Sequence, residues 1–62
     1  MFIVVYNNNF DYFLRNTIFT MDMDRAQRFP SAEAAHQALL NNKARGFTKA
    51  SVVKRCRVVE MD

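Results

Sequence analysis

The chain has 62 residues, half of them hydrophobic, and nine Lys and Arg against six Asp and Glu give a net charge of +3. That length holds one domain, 1–62, with a small core, and the apolar share excludes a disordered chain. Cys56 is the single cysteine and His36 the single histidine, which excludes an intrachain disulfide, fits a reducing compartment and leaves too few soft ligands for a structural zinc site.

Residues 1–6 are β-branched and aromatic and predict a strand. The run is too short for a signal-peptide core or a bilayer span, so no targeting segment, no membrane contact and a cytoplasmic location are expected. Asn7, Asn8 and Asn9 mark a turn, because Asn tolerates positive φ, and residues 10–15 return as the second strand of a hairpin. Asn16 and Thr17 punctuate again before a short third strand over 18–21.

Asp24 and Gln27 have the spacing of a capping box, which predicts a single helical turn starting at Asp24. Pro30 disfavours helical geometry at Phe29, so the chain must nucleate again beyond it. Ser31 is then the N-cap of a helix over 32–44, with Glu33 in its first turn and Gly46 suited to the left-handed position past its end. Residues 48–61, with Val52, Val53, Val58 and Val59 around a basic centre, read as the final strand. The expected fold is α+β: a small antiparallel sheet of hairpin, short third strand and C-terminal strand, packed by one main helix.

On that helix Ala35, Ala38 and Leu39 share a face, which is mostly alanine and hides little area. The strands put large apolar groups on both sides of the sheet: Phe2, Val4 and Tyr6 on one, Ile3 and Val5 on the other. Phe29 and Phe47, flanking the helix, widen the cover of one face only. Burial on folding contributes on the order of 95 kcal/mol, and ordering the chain costs about 90 kcal/mol. With a balance near zero, a second subunit or a partner is the expected supplement. The face carrying Ile3 and Val5, with Phe13 from the second strand, is therefore expected to make contact with a homodimer mate or another protein. The alternative is a strongly coiled sheet whose long hairpin folds over its own second face.

Lys43, Arg45, Lys49, Lys54, Arg55 and Arg57 lie in the segment 43–57 with no acid among them. In a strand Arg55 and Arg57 share one face with Val53 and Val59, and Cys56, Val52 and Val58 take the other, leaving Lys54 as an anomaly on the core side. Such a segment meets an acidic protein or the phosphates of a nucleic acid, or only keeps an edge strand from aggregating. No zinc finger, helix-turn-helix or RNP-type pattern accompanies it.

Catalytic and cofactor signals are weak. Cys56 on a strand and His36 on a helix have no spacing that joins them, and a buried structural thiol is the commoner state. Asp22 and Asp24 resemble a metal pair, but capping explains them equally. His36 and Leu40, one turn apart, form at most a small outward patch. One glycine leaves no phosphate-cradling loop. The reading is a non-enzymatic binding module without a cofactor.

The stretch 24–35, following a compact hairpin, resembles a pattern of small phage and bacterial open-reading-frame products, in which an A-x-x-F-x-S/T run precedes a helix with an early alanine and a terminal strand follows. Ala26, Phe29, Ser31 and Ala35 match it. The resemblance implies an inhibitor or modulator of a host or defence protein, and transfers no site residues.

Overall fold

Strand β1 (Phe2–Asn8) and strand β2 (Phe10–Arg15) form the hairpin, in a register that sets Val5 opposite Phe13 and Tyr6 opposite Tyr12. Asn9 turns the chain at φ 68, and Asn7 Nδ2 donates across the tip to Asp11 Oδ1 at 2.8 Å. Arg15 pairs with Ile18 around Asn16 and Thr17, with Asn16 at φ 54, so the first loop position carries the positive φ that a type II′ turn requires. Strand β3 (Ile18–Thr20) therefore lies on the outer side of β2. The computed structural model describes all 62 residues and adds strand β4 (Cys56–Glu60) on the other side of β1, giving an antiparallel sheet of order β3-β2-β1-β4.

Helix α1 (Ala32–Ala44) has the termini its sequence dictates. Ser31 Oγ accepts from the Ala34 N–H at 3.1 Å. At the other end Gly46 takes φ 82 and donates to the Lys43 carbonyl, while the Phe47 N–H donates to the Asn42 carbonyl. Those two bonds are the pair that closes a Schellman motif. Asn42 then ties α1 to the sheet: its buried amide donates to the Asn16 carbonyl at 3.1 Å and to the Ala38 carbonyl at 2.9 Å. No helix is long and apolar enough to cross a membrane.

Two expectations about local elements are corrected. The helical turn before Pro30 is a 3₁₀ turn over Met23–Arg25, capped by Asp22 and not Asp24: Asp22 Oδ1 accepts from the Asp24 N–H at 2.9 Å. Gln27, free of any capping role, accepts from the Asn16 N–H through its side-chain oxygen. The second correction is at 48–61, which is not one strand. Helix α2 (Ala50–Val53) precedes β4, and Val53 packs into the helix-side core beside Cys56 and Val58. Packing against that core overrides the strand preference of the valine pair. Lys54 ceases to be an anomaly, since it caps α2 in helical geometry with its side chain exposed.

The core has two layers. Between sheet and helix lie Val4, Leu14, Phe29, Ala35 and Leu39, edged by Phe2, Phe19, Ala38, Val53, Cys56 and Val58. On the other side Ile3, Val5 and Phe13 pack with Ala26, edged by Val59 and Met61. These three are only 1%, 4% and 5% exposed, so the face expected to await a partner is already dry. The cover is the segment after the 3₁₀ turn. The Gln27 N–H donates to the Leu14 carbonyl at 2.9 Å, and Phe29 exchanges two backbone bonds with Phe2 at 2.8 and 2.9 Å. Pinned between the end of β2 and the start of β1, this segment gives Ala26 to one face and Phe29 to the other. Arg15 Nη1 donates to the Arg25 carbonyl at 3.1 Å and holds it down. The exposed area, 4358 Å², matches the roughly 4,200 Å² expected of a folded chain this size.

Candidate interaction surface

All six cations of the segment 43–57 are exposed. Lys43 sits in the last turn of α1 and Arg45 is its C-cap, where positive charge complements the helix dipole. Lys49 and Lys54 flank α2 as its N-cap and C-cap. Arg55 reaches the hairpin tip, its Nη1 donating to Asn8 Oδ1 at 3.3 Å. Arg57 stands opposite Val5 on β1, and so belongs to the sheet face away from α1. The expected single strip is thereby divided: five cations lie on α1, α2 and the turns around them, and Arg57 lies apart.

None of the six has a carboxylate within ion-pair distance. The one ion pair of the chain is Arg25 with Asp22, at 3.6 Å. The same Asp22 caps the 3₁₀ turn, so Asp22 and Asp24 are used locally, and no group of three His, Cys, Asp or Glu side chains converges anywhere in the fold.

Two aromatic rings lie beside these cations. The Arg45 guanidinium sits over the Phe47 ring at 5.6 Å from its centroid. Phe47 is 54% exposed, so it does not widen the cover of the sheet as expected; Phe29, at 7%, does. The second ring, Phe10, is exposed at the hairpin tip two residues from the Asn8 that holds Arg55. The i, i+2 spacing of Arg45 and Phe47 around Gly46 was the available sequence signal, since the left-handed glycine turns both side chains out of the helix layer. A further aromatic set, Tyr6 with Tyr12 at 5.7 Å and with Phe19 at 5.4 Å, is half-buried on the α1 side of the sheet.

No family model, curated protein or solved structure matches this chain.

His36 and Leu40 are both exposed on α1, as expected of an outward patch, while Cys56 is half-buried with its Sγ donating to the Val52 carbonyl at 3.3 Å. Burial pushes the Cys56 thiol up to about 11. At pH 8 its alkylation by iodoacetamide is expected to run about a hundredfold slower in the folded chain than in the urea-unfolded chain, from the smaller thiolate fraction. Equal rates in the two states would refute the shielding. Because the folded value is raised, the stability that the neutral thiol contributes is whole below the unfolded value of 9.0 and is lost as pH climbs towards about 11.

Proposed function

We propose that the chain is a non-enzymatic binding module that docks on an acidic protein surface through the five cations that the segment 43–57 carries on α1, α2 and the turns around them, with Arg45 and Phe47 at their centre. The observation that carries this reading is the set of exposed cations with no carboxylate partner beside an equally exposed phenylalanine. Unpaired surface charge steers encounter with an opposite field, and Arg beside an aromatic ring is the composition of an interface anchor. An inhibitor or modulator of a host or defence protein is one role of this kind. Nucleic acid is the second reading, favoured by the number of cations. It is weakened by Arg57, which faces the opposite side of the sheet, because a phosphate-tracking groove requires its charges in one row.

The test compares the wild-type chain with Arg45→Glu/Lys49→Glu as bait in nuclease-treated lysate, alongside fluorescence anisotropy with a 20-nucleotide DNA, single-stranded and duplex. The expected result is a specific protein retained after nuclease, whose affinity for the variant is at least about tenfold weaker. Capture abolished by nuclease, together with DNA affinity that falls steeply with salt, would replace this reading by the second.

A further inference from the structure

The sheet has one long open edge. Backbone bonds join Met1 to Met61 and the Asn7 N–H to the Arg55 carbonyl. Hydrogen-bonded pairs alternate along an antiparallel ladder, so Ile3–Val59 and Val5–Arg57 are the bonded pairs between them. The N–H and C=O groups of Cys56, Val58 and Glu60 therefore turn away from β1, to the side where the sheet ends. The opposite edge, β3, is only three residues long. An edge of this kind is a template for another strand.

The side chains along β4 say which strand fits. Lys54 and Arg55 just precede it and Arg57 lies in its first half, Glu60 ends it and Asp62 follows, with Val58 and Val59 between. A strand charged positively at one end and negatively at the other complements itself when the copies run antiparallel; a parallel alignment sets like charge against like.

We infer that β4 pairs antiparallel with β4 of a second copy about a two-fold axis at Val58, joining two four-stranded sheets into one of eight strands. In this register the outward groups of Cys56 meet those of Glu60 in the second copy, and Val58 meets Val58. Lys54, just before the strand, comes opposite Asp62 and diagonal to Glu60 across the axis, with Arg55 next to it. The half-buried Val58 side chains, at the rim of the core in each protomer, cover one another. The contact is isologous and closes at two copies, because each chain has one such edge to give. The dimer engages Lys54 and Arg55 of the segment 43–57 but leaves Arg45 and Phe47 free, so purified protein alone tests it and its outcome is separate from that of the acidic partner proposed above.

Sedimentation velocity over a concentration series is expected to show a monomer–dimer equilibrium. Hydrogen exchange of the same protein is expected to show the Val58 and Glu60 amides gaining protection as concentration rises. Glu60→Lys/Asp62→Lys is expected to weaken the dimer at least about tenfold, and mixing it with Lys54→Glu/Arg55→Glu to restore a dimer of one chain of each kind. A wild-type chain that stays monomeric overturns the inference. So does a dimer in which the Val58 and Glu60 amides still exchange freely, or one that the charge reversals leave intact; the exchange readout needs no variant and stands even if a variant misfolds.

Discussion

Phe29→Ala is expected to lower stability by about 3–5 kcal/mol, enough to unfold much of a chain whose total stability is about 3–9 kcal/mol. The ring is buried among Val4, Leu14, Ala35 and Leu39, and its backbone bonds to Phe2 hold the chain at the start of β1. Alanine leaves a cavity that neither the sheet nor an alanine-lined helix face can collapse to fill. Urea denaturation followed by circular dichroism measures the loss. Phe47→Ala is the matched control: that ring is mostly in solvent, and its removal is expected to change stability by no more than about 0.5 kcal/mol. Equal losses for the two phenylalanines would contradict the core described here.

Ala26→Asp is expected to cost about 3–5 kcal/mol at neutral pH. Ala26 is buried against Ile3, Val5 and Phe13, where a carboxylate would lose its water. Burial raises the pKa of the introduced carboxyl in the folded state, because desolvation penalises its charged form. The deficit relative to wild type is therefore smallest below the unfolded value, about 3.9, and grows as pH rises through the raised folded value. Urea melts of variant and wild type at pH 3 and pH 7 measure the difference. A deficit equal at both pH values, or absent at pH 7, would mean that the segment carrying Ala26 does not seal the second face.

That segment is also where sequence reasoning stopped. The helix over 32–44 was legible because Ser31, the helix-forming run and Gly46 each act within a few residues, and the structure realises them bond for bond. The hairpin was legible for the same reason, since Asn7, Asn8 and Asn9 are a local signal. Residues 26–29 carry no comparable pattern. Their position is set by the unpaired Leu14 carbonyl and the Phe2 backbone, which become neighbours only once the sheet exists. Without that insertion Ile3, Val5 and Phe13 would need cover from outside the chain. The basic residues were legible as a list but not as an arrangement, because helix α2 interrupts the alternation that a strand would impose on them. Phe29 and Phe47 illustrate the limit: both are phenylalanines flanking one helix, and only the Schellman turn at Gly46 sends the second into solvent.

The strand order has a consequence for synthesis. β1 is made before β4, yet β4 is one of its two neighbours in the sheet. A nascent chain can form the hairpin and β3 early, but β1 keeps a bare flank until residues through Glu60 have emerged. The β1–β4 ladder joins the most sequence-distant strands of the sheet, so closing it is the high-contact-order step that sets the pace of folding.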